Sequence, residues 1–244
     1  MRILPLIILL FFSACKKEED RNCFKFIGKE DVLEFMLEDF DRLILGKNLK
    51  YVFVQDIENK IILKGGENLL NFIRFNNSEG EIKIEDKNKC NFLRNQDKKV
   101  VVEIHYVNVS EILFLGTEKV EFQNQMIANN MLLNLRDGAG EFNLNLKANQ
   151  LNMIVSSGWG NFNINGEVNF LKLDIRSNGF GSAYGLNVRD SVHVLSNSTE
   201  LFKFNAEGCF VRSQMYEKGD VWYIGQPSSI NHVSFGSGQL IDKN

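Results

Sequence analysis

The residues of this sequence best suited to metal binding or redox chemistry are its four cysteines and three histidines. Zinc and dithiol sites need cysteines in close pairs or beside histidines. Cys23, Cys90 and Cys209 lie far apart in the chain, and none belongs to a Cys-x-x-Cys motif. We therefore expect no metal and no cofactor. Buried free thiols, or one disulfide plus one buried thiol, are predicted, and the pairing is left open.

Two histidines have a neighbour that could take part in catalysis. Glu103 and His105 are two residues apart in a β-forming segment, so their side chains are expected on the same face. Such a pair can serve a metal or a proton relay, and the alternative is an ordinary solvated strand face. Ser191 lies close to His193, but no Gly-x-Ser-x-Gly motif surrounds the serine. Nucleophilic catalysis is therefore not predicted.

Clustered carboxylates would indicate an enzyme, because β-helix enzymes that cleave polysaccharides use such clusters for calcium binding or for acid and base catalysis. The sequence shows no such cluster, because Asp137, Asp174, Asp190 and Asp220 are scattered, and Asp137 and Asp174 do not occupy equivalent positions. The sequence favours a protein without a catalytic site. A carbohydrate-active enzyme with an unrecognised site is the alternative.

The amino-acid composition also excludes some classes of partner and of structure. The formal net charge of -3, from 28 basic and 31 acidic residues, leaves no basic excess to neutralise phosphates. Nucleic acid is therefore not an expected partner. A hydrophobic content of 44% argues against disorder. The 19 glycines beside only 2 prolines are typical of glycine-turned β-structure.

The first 14 residues have the pattern of a secretory leader, with Arg2 followed by an apolar run over residues 3–12. This run is shorter than the roughly 20 residues that a membrane-spanning helix needs. Residues 12–15, Phe-Ser-Ala-Cys, resemble a bacterial lipobox, in which the chain is cleaved before a cysteine that receives the lipid. We predict lipidation of Cys15 and membrane attachment through that anchor alone. The alternative is an ordinary leader cut near Ala14.

A charged tether is predicted over residues 15–23, where Lys-Lys-Glu-Glu-Asp follows the lipidated cysteine. It is expected to hold the folded part, residues 24–244, away from the membrane. A lysine followed by acidic residues also resembles an export tag for the outer face of the outer membrane, and the alternative is a plain spacer. The expected location is the outer membrane at the cell surface, with the periplasmic face as the alternative.

The strands of the C-terminal half belong to a repeated sequence pattern. From Leu133 onward, the chain returns about every 20 residues to the pattern strand, Gly-x-Gly, strand. Within a unit, Phe142, Leu144 and Leu146 alternate with polar residues, as in a strand with one apolar face. So short a unit buries its apolar face only by stacking on its neighbours. The pattern therefore predicts an all-β solenoid with irregular coils.

The Gly-x-Gly turns at residues 138–140, 158–160 and 179–181 are expected to turn successive coils at one corner, with positive φ at their glycines. Trp159 and Phe180 occupy the middle of two turns, so we predict a two-rung aromatic ladder with rings about 5 Å apart. An exposed ladder can bind a sugar ring or an apolar side chain of a partner. The alternative is an intramolecular stack that stiffens the corner.

The remaining segments complete a single predicted domain. Strand-forming runs fill the first half, where residues 30–40 and 69–75 are the candidates for short helices. Trp222 and Tyr223 are neighbours on one strand, so one is expected in the core and the other at the surface. No linker rich in proline, glycine or serine divides residues 24–244.

Several segments in this order resemble the family described as "putative auto-transporter adhesin, head GIN domain". They are residues 40–44, 67–73, 80–84, 101–106, the Gly-x-Gly turns, 219–227 and 236–238. The resemblance implies a right-handed parallel β-helix in a secreted or lipid-anchored bacterial protein. Where the family often has Gly-Ser-Gly, this chain carries Trp159 and Phe180 between the glycines.

The expected function is therefore binding or scaffolding without catalysis, by a lipid-anchored envelope protein that presents broad side faces. Its expected partner is an unidentified glycan or protein ligand at the cell surface. A structural envelope protein that self-associates through its solenoid ends is a further alternative. Residues 190–192, Asp-Ser-Val, resemble a short bacterial O-glycosylation acceptor, which makes Ser191 a candidate modification site.

Overall fold

The computed structural model describes residues 26–91 and 98–244. The predicted leader, the predicted lipidation site at Cys15, the predicted tether and Cys23 lie outside these residues. The one helix of the described residues is α1 (Glu67–Leu70). The strands are β1 (Glu30–Met36), β2 (Arg42–Leu45), β3 (Lys50–Gln55), β4 (Lys60–Gly66), β5 (Ile73–Ser78), β6 (Glu81–Asp86), β7 (Val101–Tyr106), β8 (Glu111–Phe114), β9 (Lys119–Phe122), β10 (Met126–Leu135), β11 (Glu141–Val155), β12 (Asn161–Ile175), β13 (Phe180–Ser196), β14 (Phe202–Asn205), β15 (Phe210–Met215), β16 (Val221–Ile224), β17 (Ser229–Ser234) and β18 (Leu240–Asp242).

These strands form one curled sheet arranged as a β-solenoid of about 7 turns, with 62% strand and 3% helix. From β8 to the C-terminus, the strands of successive coils pair in parallel. The last two strands, β17 and β18, pair in parallel with β15 and β16 of the preceding coil. The predicted all-β solenoid is therefore confirmed. Within residues 26–91 and 98–244, no helix has the length and apolar character needed to cross a bilayer.

Strand β11 shows how alternation produces a coil. Phe142, Leu144 and Leu146 point into the core, but beyond Asn149 the buried positions become the odd-numbered ones, beginning at Leu151. This change of parity marks a corner, so one long strand contributes to two faces of the solenoid. Side chains between the buried ones point outward, and they line broad open faces.

The N-terminal end departs from the parallel pattern. Strand β1 is antiparallel to β4, β4 is antiparallel to β7, and β5 is antiparallel to β6. The helix predicted over residues 30–40 is wrong, because β1 occupies this segment. Leu33 and Phe35 pack against the core while Val32 and Glu34 are exposed, which is a period of two rather than of a helix. The helix predicted over residues 69–75 is reduced to the single turn α1, and β5 follows it.

Aromatic rings fill the middle of the core. Phe142 is fully buried, with its ring centroid 5.7 Å from that of Phe114 and 6.1 Å from that of Phe122. Phe122 in turn stacks on Phe53 at 4.9 Å. The rings come from four different strands, so they tie successive coils together.

The cysteines that the structure describes have different states. Cys90 takes part in a disulfide, and Cys209 is a free thiol with no exposed surface. Burial raises the pKa of the Cys209 thiol, which disfavours the reactive thiolate. Among the described cysteines, one is therefore bridged and one is a buried thiol.

Candidate functional site

Trp159 lies at an open corner of the solenoid, in the turn between β11 and β12. Its backbone N–H donates to the carbonyl oxygen of Gly138 at 2.8 Å, which ties the turn to the coil before it. Its side chain is 58% exposed. An indole fixed by its backbone and open to solvent can bind a ligand without first being uncovered.

The glycines around Trp159 serve mainly to let neighbouring coils approach. Of the six glycines in the three turns, only Gly158 has positive φ, at 84°, so the predicted backbone role is wrong for the others. A Cβ on Gly138 would overlap the carbonyl oxygen of Gly116, and a Cβ on Gly158 would overlap that of Gly138. Close stacking of backbone on backbone therefore explains these glycines.

Phe180 begins β13 at the same corner and is 45% exposed. It pairs with Asn161 and not with Trp159, because Gly181 lies opposite Phe162. The third Gly-x-Gly turn is therefore displaced by two residues from the second, and the predicted ladder of directly opposed rings is wrong. Trp159 and Phe180 are instead diagonal neighbours on the outward side.

Polar groups accompany this aromatic pair. Ser157 donates a hydrogen bond from Oγ to Oδ1 of Asp137 at 2.6 Å. Thr199 donates from Oγ1 to Oδ1 of Asn178 at 3.1 Å, on the coils beside the turn. Exposed rings with hydroxyl, amide and carboxylate groups nearby match the chemistry of a sugar, which has both an apolar face and hydroxyl groups.

Trp222 and Tyr223 divide between surface and core as predicted. Tyr223 is only 9% exposed and its ring stacks on that of Phe204 at 6.1 Å. Trp222 faces outward, with the Nζ atoms of Lys203 and Lys243 at 5.5 and 4.3 Å from its ring. The sequence prediction missed these cations, although each lies about one coil of sequence from Trp222.

Glu103 and His105 share one face, as predicted, and belong to an ion-pair network. His105 places Nδ1 2.8 Å from Asp56 Oδ2 and Nε2 3.1 Å from Glu103 Oε1. Lys64 donates from Nζ to the second oxygen of Glu103 at 2.6 Å. The hydrogen bond from His105 lowers the pKa of Asp56. Burial opposes ionisation of Glu103, but the bonds from Lys64 and His105 outweigh it and lower its pKa. Both imidazole nitrogens are engaged, so the geometry is that of a structural network.

The other predicted positions are spread over the solenoid. Ser191 is half-buried in β13, between Phe170 on β12 and Phe210 on β15. Asp174 accepts two hydrogen bonds from Arg176, at 2.9 and 2.6 Å. Within the described ranges, no three His, Cys, Asp or Glu residues are grouped as metal ligands.

Several solved structures share this fold. A "putative adhesin" from Bacteroides fragilis has a TM-score of 0.80 and 18% identity, over 88% of this chain and 97% of that one. A "putative lipid binding protein" from Parabacteroides distasonis has a TM-score of 0.65 and 16% identity, over 89% and 98%. A "putative adhesin" from the same species has a TM-score of 0.60 and 16% identity, over 88% and 98%. At these identities, the likeness is one of fold.

A match to a family at the level of sequence says more about this chain than a similarity of fold does. No curated protein matches this chain. A family model matches residues 39–227, from just before β2 to the Gly-Gln-Pro segment after β16. This span includes Trp159, Phe180 and nearly every coil of the solenoid. The chain therefore belongs to the family described as "Putative auto-transporter adhesin, head GIN domain".

Proposed function

We propose that this protein is a lipid-anchored adhesin of the cell envelope that binds a glycan or protein ligand through its side faces, without catalysis. The lipid is carried by Cys15, and the outer membrane at the cell surface is the proposed location. The observation that carries the binding role is the exposure of Trp159 and Phe180 at one corner. Two large aromatic surfaces left open on a rigid scaffold are characteristic of binding sites.

Membership of an adhesin family supports this proposal, as does the shape of the molecule. The solenoid stacks its coils on a continuous core, so its outward side chains are held in fixed rows. Such faces suit an extended ligand better than a small one. The leader and lipobox of the sequence are the support for membrane anchoring.

Replacing Trp159 and Phe180 together by alanine is expected to weaken ligand binding by about 30-fold or more, because a buried aromatic anchor contributes about 2 kcal/mol. The melting temperature should barely change, since both side chains lie at the surface. The measurement is binding of the full-length protein in detergent to a glycan array and to extracellular-matrix proteins.

Val32 and Met36 provide a matched control, because they are 58% and 64% exposed on β1 at the N-terminal edge of the sheet. Their double alanine variant removes exposed apolar surface at a distance from the corner and should bind as the unmodified protein does. An equal loss of ligand binding in the two double variants would refute the aromatic site. Unfolding of the Trp159 and Phe180 variant without a defect in binding would refute it too.

Self-association is a second candidate, favoured by the C-terminal edge. Strand β17 pairs only with β15 among the described strands, and all six of its residues are exposed. It exposes Ile230 and Val233 and carries no carboxylate or lysine. At the opposite end, β1 carries Glu30, Asp31 and Glu34, and charged residues protect edge strands from pairing.

If β17 pairs with its copy in a second molecule, Ile230→Lys should abolish the dimer, since a lysine on an edge strand disfavours pairing with another strand. Sedimentation over a range of protein concentrations measures the change. Val32→Lys, at the N-terminal edge, should leave the dimer intact. A monomeric unmodified protein at every concentration would dismiss this candidate.

A further inference from the structure

A row of basic side chains crosses the outward face of three neighbouring coils. Lys172 on β12 lies opposite His193 on β13, and His193 lies opposite Arg212 on β15. We call these three residues the basic row. Parallel strands are about 4.8 Å apart, so the Cα atoms of Lys172 and Arg212 are separated by about 10 Å. The three residues, together with Leu195 and Gln214, line a shallow open depression.

The charge of the basic row is largely uncompensated. The closest carboxylate is Asp174, whose Oδ2 lies 4.0 Å from Lys172 Nζ. Arg176 already holds both oxygens of Asp174 at 2.9 and 2.6 Å. Arg212 forms no ion pair within the part of the chain that the structure describes. Burial lowers the pKa of His193, and the charges of Arg212 and Lys172 lower it further, as a positive local potential requires.

Aromatic rings flank the basic row on one side. Phe170, Ser191 and Phe210 form the next outward row on the same strands. Phe170 is 42% exposed. Phe210 is half-buried and lies edge to face with His193, at 6.4 Å between centroids. Cations and exposed apolar rings thus run side by side across the coils.

We propose that the outward face of β12, β13 and β15 binds an acidic polysaccharide, whose carboxylate or sulfate groups contact Lys172, His193 and Arg212. The sugar rings lie against Phe170 and Phe210. Binding is by ion pairs and stacking, without a covalent step. The proposal is independent of the corner formed by Trp159 and Phe180, because the two sites share no residue.

The geometry favours a polysaccharide over a single phosphate. The cations form a line along the solenoid axis, which matches negative charges repeated along a chain. A single phosphate would instead need donors that converge on one point. The whole protein has a net charge of -3, so it does not attract polyanions in general. Binding of a polyanion therefore requires a local patch such as this one.

The test uses the full-length protein in detergent, with heparin as the sulfated probe, polygalacturonate as the carboxylated probe and dextran as the neutral one. We expect salt-sensitive binding of at least one acidic probe and none of dextran. Replacing Lys172 and Arg212 by glutamine should weaken that binding about tenfold, as expected for the loss of two exposed ion pairs. A comparison of the two acidic probes identifies which anion the basic row prefers.

Lys147→Gln with Arg189→Gln is the matched control. These two cations already pair with Glu167, at 2.5 and 3.2 Å, on another face of the solenoid. The control changes the net charge by the same amount but leaves the basic row intact, so its binding should remain. Thermal melting of both double variants verifies that each is folded.

His193 supplies a readout that a general charge effect would not produce. The charged groups that face it from the neighbouring strands are Lys172 on β12 and Arg212 on β15, while Asp174 on β12 lies opposite Leu195, two positions further along. A bound anion favours the protonated imidazole, so protons are taken up on binding and affinity should rise as the pH falls from 8 to 5. His193→Gln should flatten this dependence.

Three outcomes would overturn the proposal. The first is failure of the folded protein to bind either acidic probe. The second is an equal loss of binding in the two charge-matched variants. The third is binding of vesicles rich in anionic lipid without binding of heparin or polygalacturonate. A defect of the Trp159 and Phe180 variant on neutral glycans would leave this proposal unaffected, so the two sites can fail separately.

Discussion

Replacing Phe142 by alanine should lower the free energy of unfolding by about 3–5 kcal/mol, as for other large-to-small changes in a close-packed core. The side chain has no exposed surface and contacts the rings of Phe114 and Phe122 on other strands. The cavity would lie between coils, where the backbone ladders limit collapse around it. Denaturant unfolding followed by circular dichroism measures the loss.

Phe180→Ala is the matched control, because it makes the same chemical change at a side chain that is 45% exposed. Its free energy of unfolding should change by no more than about 0.5 kcal/mol. If Phe142→Ala were as mild as Phe180→Ala, the ring cluster would not be what holds the coils together.

Gly158→Ala should lower the free energy of unfolding by about 3 kcal/mol or more, because two costs coincide at this position. The residue has a φ of 84°, and an added Cβ would overlap the carbonyl oxygen of Gly138 on the preceding coil. One cost is conformational, and the other forces two backbones apart. Thermal and denaturant unfolding should both report it.

Gly208→Ala separates the two costs. Gly208 has a φ of 71°, but no atom lies within 4 Å of the position its Cβ would take. This change should therefore cost only about 1 kcal/mol, from the left-handed backbone alone. Similar losses for the two variants would contradict the view that close stacking of coils explains the glycine at position 158.

The alternation of residues along each strand was enough to predict the fold class. Phe142, Leu144 and Leu146 point inward as expected, since alternation in a strand is a local property of the backbone. The same rule correctly divided Trp222 from Tyr223 and placed Glu103 beside His105. The helix predicted over residues 30–40 is wrong because the same rule was not applied there. Leu33 and Phe35 alternate with exposed residues, as expected for the strand β1.

Register between coils is what sequence spacing did not determine. Trp159 and Phe180 are 21 positions apart in sequence, but the strand ladder pairs Phe180 with Asn161, 19 positions before it. Coil length varies partly within the strands: the register of β12 and β13 shifts between Asn163 and Asn165 and again between Val168 and Phe170, where β13 has an extra residue. The pairing of whole strands then decides which side chains meet.

By itself, the sequence determined the local features of this protein: the leader and lipobox pattern, the two-residue alternation, the glycine-rich corners and the family. Only the tertiary structure decided the diagonal aromatic pair, the antiparallel strands at the N-terminal end and the basic row. Lys172, His193 and Arg212 are 21 and 19 positions apart, and only the ladder between coils makes them neighbours. The physical reason is that burial is set by alternation within one strand, whereas a binding surface on a solenoid is set by hydrogen-bonded register between strands.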